Sequence, residues 1–283
     1  MTTVLITGAT GGLGRPLAAS LAAEGATVLV HGRDQGNREQ LVHALRAQGG
    51  RAQAYGGDLA VLAEVAELAE RVAAEHPELG VLVNNAGVGF GAPGAARELT
   101  RDGNELRFAV NYLAPVLLTR RLLDTLGGNP GARIVNVGSI GQADLDLTDP
   151  QSERDYDGTL AYRRSKLALV MFTIDLADEL AGRPDAARPT DGAAPPVPTV
   201  NVLHPETLMD TTMVRDAEIA PRSSVSDGVA NVLALLHGPA ASGVTGQYFD
   251  RDRHAEPLAQ ARDQSVRAEL RALTDQLLRP YLR

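Results

Sequence analysis

The chain has 283 residues, of which 44% are hydrophobic, and this is enough for one large α/β domain with a sizeable core. Its formal net charge of −8 argues against a nucleic-acid partner, because phosphate binding needs a net basic face. The chain contains no cysteine, which excludes disulfide bonds, thiolate metal sites and a cysteine nucleophile.

The amino terminus has no basic leader, and no segment approaches the ~20 apolar residues that span a bilayer. We therefore expect a soluble, cytoplasmic protein with no membrane span. The composition, rich in alanine and arginine, suggests a GC-rich bacterial source.

Short apolar runs alternate with helical stretches along the chain. The runs are apolar on both faces, as a sheet covered by helices on both sides requires. Strands are predicted at 3–7, 26–32, 51–58, 79–87, 133–139 and 199–204, and helices at 15–24, 38–48, 59–76, 104–126, 160–180 and 255–282. This alternation predicts βαβ units, and hence an α/β fold with a doubly wound parallel sheet of the Rossmann type in a single domain over 1–283.

Two stretches break this rhythm. Residues 141–158 are acidic and polar, and we expect them to form a substrate loop that stays mobile until a substrate binds. Residues 183–198 are rich in proline, alanine and aspartate, and we expect a surface loop there.

A glycine-rich turn directly follows the first predicted strand and opens a helix. Glycines in this place allow a sharp turn and let backbone N–H groups approach a pyrophosphate at the helix amino terminus. The alternative is a tight turn that binds no ligand. The candidate cofactor-binding residues of the turn are Gly8, Thr10, Gly11, Gly12, Leu13 and Gly14.

Five motifs occur in the order found in the short-chain dehydrogenase/reductase family, which the sequence resembles from residue 4 to about residue 212. The first is the glycine turn, whose spacing fits TGxxxGxG. The others are the NNAG sequence at 84–87, a helix Asn111, Ser139 at the end of a strand, and the YxxxK pair Tyr162 and Lys166. The resemblance implies hydride transfer between a nicotinamide cofactor and a carbonyl group or secondary alcohol, with the ketoreductase direction favoured.

The end of the second strand bears on the choice of cofactor. By resemblance, Gly32 takes the position where NAD-preferring enzymes have an acidic residue, and Arg33 follows it. A guanidinium there suits a 2′-phosphate, so we expect NADPH or NADP rather than NADH, unless Arg33 is an ordinary solvated residue. The other cofactor contacts that the resemblance implies are Asp58, Leu59, Asn85, Ala86, Gly87, Tyr162, Lys166, Pro205 and Thr211. Asp58 has a second interpretation as a helix cap.

Tyr162 and Lys166 are four residues apart in a predicted helix, so their side chains share one face. The resemblance implies that Tyr162 exchanges the proton, and the charges of Lys166 and of the oxidised nicotinamide would lower the pKa of its phenol. Ser139 can hold the substrate oxygen, and Asn111, by resemblance, orders a water that links Lys166 to solvent. The six histidines show no metal-ligand spacing, so no catalytic metal is expected.

The chain departs from the family pattern in two places. The insertion at 141–158 resembles the retinol-dehydrogenase-like members and suggests a bulky apolar substrate, such as a secondary metabolite. After the sixth strand, Pro205 is followed by Glu206 where the family usually has glycine, and this makes Thr207 a rival of Thr211 beside the nicotinamide.

Two other functional classes share parts of the pattern. A nucleotide-sugar epimerase or dehydratase would share the turn, whose Gly11 also permits TGxxGxxG, but it needs a larger carboxyl-terminal region. A non-catalytic NADP-sensing regulator would need no proton relay, whereas Ser139, Tyr162 and Lys166 are intact. The expected partner is a small-molecule carbonyl or alcohol. Homo-oligomers of the family pair through the helices predicted at 104–126 and 160–180, a face that a carboxyl-terminal addition can block.

Overall fold

The computed structural model describes residues 2–183, 197–238 and 243–282. Its strands are β1 (Thr3–Ile6), β2 (Thr27–Gly32), β3 (Arg51–Gly56), β4 (Leu79–Asn84), β5 (Arg133–Val137), β6 (Thr199–His204), β7 (Tyr248–Asp250) and β8 (Arg253–Ala255). They form one eight-stranded sheet in the order β3-β2-β1-β4-β5-β6-β7-β8. Strands β1 to β7 are parallel, and β8 returns antiparallel to β7. The order reverses between β1 and β4, which leaves a crevice at the carboxyl ends of these two strands.

Helices cover both faces of this sheet. They are α1 (Gly14–Ala23), α2 (Gln35–Ala47), α3 (Leu62–Glu75), α4 (Leu106–Phe108), α5 (Ala114–Gly127), α6 (Gly158–Ala181), α7 (Thr212–Asp216), α8 (Val225–His237) and α9 (Gln264–Leu278). A π-helical turn, Ala109–Leu113, joins α4 to α5 without a break. Short 3₁₀ helices occur at Ala259–Arg262 and Arg279–Tyr281.

Successive side chains of each strand enter opposite cores. Leu5 packs in a core with α3, α5, α6 and α9, whereas Val4 and Ile6 pack in a second core with α1, α2 and α8. All three are at most 2% exposed. Burial on both sides explains why the strands are apolar on both faces, and it confirms the predicted α/β Rossmann-type sheet in a single domain.

Two helices begin at other residues than the sequence predicts, because side-chain caps set their first turns. Helix α2 begins at Gln35, earlier than predicted, because the Asp34 carboxylate accepts a hydrogen bond from Asn37 N at 2.7 Å. The predicted helix at 255–282 is wrong in its first part. Ala255 ends β8, and α9 begins only after Asp263, whose side chain caps it.

The outer face of α6 is covered by α9 of the same chain. Arg267 is 9% exposed and pairs with Asp175 at 2.6 Å and with Asp178 at 3.1 Å. The hydroxyl groups of Tyr112 and Thr274 lie 2.7 Å apart. Helix α9 therefore occupies part of the α6 surface on which the resemblance places pairing between copies, and the oligomeric state stays a prediction.

No helix in the described part of the chain is long and apolar enough to cross a membrane. The same residues place no group of three or more histidine, aspartate or glutamate side chains where they could hold a metal ion. The surface loop predicted at 183–198 falls, for residues 184–196, outside the described residues.

Candidate active site

The glycine turn between β1 and α1 is held against the end of β4. Thr7 Oγ1 accepts hydrogen bonds from the N–H groups of Asn85 and Ala86, both at 3.0 Å, and Asn85 Nδ2 donates to Thr7 O at 2.8 Å. Gly8 has a φ of +63°, a conformation that favours glycine. A Cβ on Gly14 would meet the carbonyl oxygen of Gly8. The structure therefore brings the two predicted cofactor-binding segments together at the crevice between β1 and β4.

The other residues of the turn have different surroundings. Nothing lies within 4 Å of a Cβ built on Gly11, so this position is open. A Cβ on Gly12 would lie 3.6 Å from the methyl carbon of Thr211. Leu13 is buried at 6% exposure, and its Cδ1 lies 3.2 Å from a Cβ built on Gly228 of α8.

The end of β2 is closely packed at Gly32. A Cβ on Gly32 would lie 2.7 Å from Thr10 Cγ2 and 2.8 Å from Thr10 Oγ1, so the Thr10 side chain would have to move to admit a larger residue. Arg33 is exposed, and no carboxylate of the described ranges lies within ion-pair distance of its guanidinium. The neighbouring Asp34 carboxylate is engaged in capping α2. The strand end thus offers an unpaired cation to a ligand.

The His31 side chain is hydrogen-bonded to the glycine turn, although no sequence motif includes it. Its Nδ1 accepts a hydrogen bond from Gly8 N at 3.3 Å, and its Nε2 lies 3.1 Å from Gly57 O. The two contacts fit a neutral ring that carries its proton on Nε2. The side chain is 1% exposed, and burial lowers the pKa of His31 from 6.5 to about 4.

This burial makes the glycine turn sensitive to acid. Because the folded pKa of His31 lies below the unfolded value, its contribution to stability is present above pH 6.5 and is lost as the pH falls toward 4. Between pH 7.5 and pH 5 the loss amounts to roughly 2 kcal/mol of unfolding free energy. Urea unfolding at the two pH values should show a smaller pH dependence for His31→Gln than for the wild type. An equal pH dependence in both proteins would contradict this role.

Asp58 lies just beyond β3 and caps a turn rather than a helix. Its Oδ1 accepts a hydrogen bond from Ala60 N at 3.0 Å, and its backbone N–H donates to Glu64 Oε2 at 2.7 Å. The cap position of α3 belongs to Val61. Leu59, the next predicted cofactor contact, is buried at 5% exposure.

The four predicted catalytic residues converge on the crevice. Ser139 follows β5, Tyr162 and Lys166 lie on α6, and Asn111 lies in the π-helical turn. Lys166 Nζ is 5.8 Å from the centre of the Tyr162 ring. A Cβ built on Gly87 would lie 3.2 Å from Asn111 Oδ1 and 3.6 Å from Lys166 Nζ. Gly87, in the NNAG segment that packs against the glycine turn, therefore lies close to the Tyr162–Lys166 pair.

Burial controls the proton affinities of this pair. Burial raises the pKa of Tyr162, and a hydrogen bond with Ser139 acts in the opposite direction. Burial also lowers the pKa of Lys166 from 10.5 to about 8, and its Nζ donates to Val137 O at 2.9 Å. In the protein without a bound cofactor, desolvation of the phenolate dominates the pKa of Tyr162, and the lowering expected from Lys166 together with an oxidised nicotinamide stays a prediction.

Asn111 is held by the π-helical turn, where the sequence predicted an ordinary α-helix. Its Oδ1 accepts from Val88 N at 2.8 Å, and its Nδ2 donates to Val88 O and to Ser165 Oγ, both at 3.0 Å. The extra residue of a π turn is frequent at functional sites because it re-aims one side chain. Both amide N–H groups are used, and one lone pair of Oδ1 remains beside Gly87.

Glu206 lies in the loop after β6, and its side chain forms an ion pair. Its carboxylate pairs with Arg251, at 2.7 Å and 2.8 Å to the two oxygens. Pro205 O accepts a hydrogen bond from Asn231 Nδ2 at 2.7 Å, which fixes the loop to α8. The charge of the acidic side chain is therefore neutralised by Arg251.

The two threonines after this point differ in their contacts. Thr207 Oγ1 lies 3.0 Å from His204 Nε2 and is engaged at the strand end. Thr211 lies against Gly12 of the glycine turn. Of the two threonines, Thr211 is thus the one that lies beside the glycine turn, and its contact with a cofactor stays a prediction.

Two apolar residues line the crevice although neither belongs to a motif of the sequence. The ring of Phe90 packs edge-on against Tyr162, with the ring centres 4.8 Å apart. Met213 of α7 reaches over the NNAG segment, where its Cε lies 3.8 Å from a Cβ built on Gly87. Single apolar residues in loops leave no periodic signal, so the sequence could not identify them.

The polar insertion at 141–158 is tied to the rest of the chain. Leu145 exchanges two backbone hydrogen bonds with the Gln260 side chain, at 2.7 Å and 3.0 Å. Tyr156 OH donates to Glu105 Oε1 at 2.9 Å and accepts from Arg107 Nη1 at 2.6 Å. The polar residues that suggested mobility are thus used as hydrogen-bond partners, and movement on substrate binding stays a prediction.

Comparison with known proteins agrees with this geometry. A family profile described as short chain dehydrogenase matches residues 2–184. Retinol dehydrogenase 14 of Homo sapiens is 34% identical over 95% of this chain and 83% of its own length, and polyprenol dehydrogenase of Mus musculus is 34% identical over 94% and 80%. A short chain dehydrogenase from Burkholderia cenocepacia, solved in complex with NADP, superposes with a TM-score of 0.67 at 28% identity over 89% of this chain and 96% of its own.

The chain belongs to the short-chain dehydrogenase family, whose members are oxidoreductases that act on alcohol and carbonyl groups of small molecules. The predicted resemblance, including its retinol-dehydrogenase-like character, is confirmed.

Proposed function

We propose that this chain is an NADPH-dependent carbonyl reductase for apolar substrates, with Tyr162 as the proton donor. One observation carries the proposal. A Cβ built on Gly87, in the segment that borders the glycine turn, would lie 3.2 Å from Asn111 Oδ1 and 3.6 Å from Lys166 Nζ, so both side chains lie beside this segment. Residues suited to a nucleotide and residues suited to proton transfer thus share one crevice, as a reductase requires.

The residues present fit a dinucleotide. The open side of Gly11 allows a close approach of a pyrophosphate to the amino terminus of α1. Lys166 keeps two N–H groups free after its bond to Val137 O, and these can hold a ribose. Bound NADPH would supply the hydride for the substrate carbon.

The protein side chains then handle the proton. Ser139 Oγ accepts a hydrogen bond from Gly141 N at 3.0 Å and also hydrogen-bonds the Tyr162 hydroxyl, so a substrate oxygen that enters between the two hydroxyl groups would take the place of that bond. Burial keeps the Tyr162 phenol protonated, which is the form needed to donate to that oxygen. With a pKa of about 8, Lys166 is still mainly an ammonium at neutral pH and stabilises the phenolate that remains. Lys166 would then pass a proton to this phenolate, and a water ordered by Asn111 would return a proton to Lys166.

An apolar substrate is supported by the rim of the crevice and by the relatives. Ile140 follows Ser139 directly and is 55% exposed, and Leu258 is 38% exposed and bonded through its N–H to Gln142. Phe90 lies against the Tyr162 ring. The names of the relatives point to retinol and polyprenol, which are long apolar alcohols. We infer a long apolar aldehyde or ketone as substrate and the reductive direction as the physiological one.

The cofactor preference can be tested at Arg33. The wild type is expected to bind NADPH more tightly than NADH, and Arg33→Ala should remove most of this difference. A charged hydrogen bond to a phosphate is equivalent to about ten- to a hundredfold in affinity. Titration of both cofactors into both proteins measures the effect. A wild-type preference for NADH would exclude the assignment.

The reaction class can be tested with a panel of substrates. A reductase oxidises NADPH with apolar aldehydes or ketones and yields the alcohol. An epimerase or dehydratase would convert nucleotide sugars without net cofactor oxidation, and a sensor would bind NADPH without turnover. Oxidation of NADPH by apolar carbonyl compounds alone supports the proposal, and either of the other two results would refute it.

A further inference from the structure

We propose that Arg38 acts beside Arg33 as a second ligand of the 2′-phosphate of NADPH. This inference rests on the proposed cofactor. It adds a residue to which no motif of the sequence points, since Arg38 lies five positions beyond Arg33 and inside a helix.

Arg38 lies in the first turn of α2, and its side chain folds back over the end of β2. Its Nη1 donates to the carbonyl oxygens of Gly32 and Arg33, both at 2.7 Å. A Cβ built on Gly56, at the end of β3, would lie 2.7 Å from its Nη2. The guanidinium therefore lies across the carboxyl ends of two neighbouring strands.

The guanidinium of Arg38 is half-buried and lacks a counter-charge. Across 2–183, 197–238 and 243–282, no carboxylate reaches ion-pair distance of Arg38 or Arg33. The two carbonyl bonds use the hydrogens of Nη1 and fix the plane of the group, which leaves the N–H groups of Nε and Nη2 for a ligand. Arg38 and Arg33 thus both lie at the carboxyl end of β2 without an acidic partner among the described residues, and an anion bound there would supply the missing counter-charge.

A phosphate on the ribose is the anion that suits this position. In folds of this type the ribose of a dinucleotide lies at the end of the second strand. Gly32 carries no acidic side chain that would bind an unmodified ribose, and the Thr10 side chain crowds the position where one would start. A planar fork of donors matches phosphate oxygens, whereas a neutral hydroxyl would gain little from a second cation.

The experiment compares two fragments that differ only in the 2′-phosphate. Adenosine 2′,5′-bisphosphate and 5′-AMP are titrated into the full chain by calorimetry, without any turnover. Arg38→Gln is expected to lose about tenfold or more in affinity for the bisphosphate and less than about twofold for 5′-AMP. Arg46→Gln is the matched control. It removes the same charge from the last turn of the same helix, where Arg46 Nε donates to Ala52 O at 2.9 Å, and it should bind both fragments as the wild type does.

The outcomes separate this inference from the proposed cofactor. If Arg38→Gln weakens both fragments equally, Arg38 only supports the strand ends and the inference is overturned. If Arg38→Gln keeps the preference for the bisphosphate while Arg33→Ala loses it, the cofactor proposal stands and the inference falls. A wild type that binds both fragments equally overturns both. Should Arg38→Gln fail to fold, Arg38→Lys keeps the charge without the fork and must still show a selective loss for the bisphosphate.

Discussion

Replacement of Tyr162 by phenylalanine is expected to lower turnover by ~10²–10⁴-fold, the range found for a positioned general acid. The substitution keeps the ring, its edge-on contact with Phe90 and its place on α6, and removes only the hydroxyl. Cofactor affinity should survive, because the glycine turn and the end of β2 lie on other elements. Steady-state kinetics and NADPH titration of the purified variant measure both quantities.

Two further variants show whether the loss belongs to proton transfer. Tyr112→Phe removes a phenol that is also buried but is bonded to Thr274, and it should leave turnover near the wild-type value. Lys166→Ala should damage turnover and cofactor binding together, because its free N–H groups are proposed to hold the ribose. Near-normal turnover of Tyr162→Phe would mean that another group delivers the proton.

Gly14→Ala is expected to lower the unfolding free energy by at least ~2 kcal/mol and to abolish cofactor binding. A Cβ at this position would meet the Gly8 carbonyl oxygen, and it would lie 2.7 Å from Asn85 Nδ2 and 2.9 Å from Ala9 Cα. Two of these three atoms belong to the backbone, so the glycine turn itself would have to move. Urea unfolding and NADPH titration report the two effects.

Gly11→Ala is the matched control for this prediction. A Cβ on Gly11 meets nothing within 4 Å, so its unfolding free energy should change by less than ~0.5 kcal/mol. Equal stability of the two variants would show that the close packing between the turn and the NNAG segment does not hold in solution.

The βαβ order and the main site segments could be predicted from the sequence because each leaves a regular signal. Strands buried on both faces are continuously apolar, as Val4, Leu5 and Ile6 illustrate by entering two different cores. The glycine turn and the YxxxK pair have fixed spacings that do not depend on distant contacts. Such local patterns are readable before any tertiary structure is known.

Other features depend on contacts between residues far apart in the chain. His31 and Arg38 look like ordinary polar residues, and only the structure shows one beneath the glycine turn and the other across two strand ends. The raised pKa of Tyr162 likewise follows from burial, which the spacing to Lys166 does not reveal. The start of α9 is set by the Asp263 side-chain cap, whereas the leucine spacing predicted a helix from residue 255.

The most direct test of the central claim is the transfer of deuterium from NADPH labelled at the reactive carbon of its nicotinamide. The labelled cofactor is incubated with the enzyme and a long-chain apolar aldehyde or ketone, and the alcohol is analysed by mass spectrometry. We predict one deuterium on the carbinol carbon with the wild type and almost none with Tyr162→Phe in the same time. If the wild type binds NADPH but transfers no deuterium to any apolar carbonyl compound, the chain is not the reductase described above.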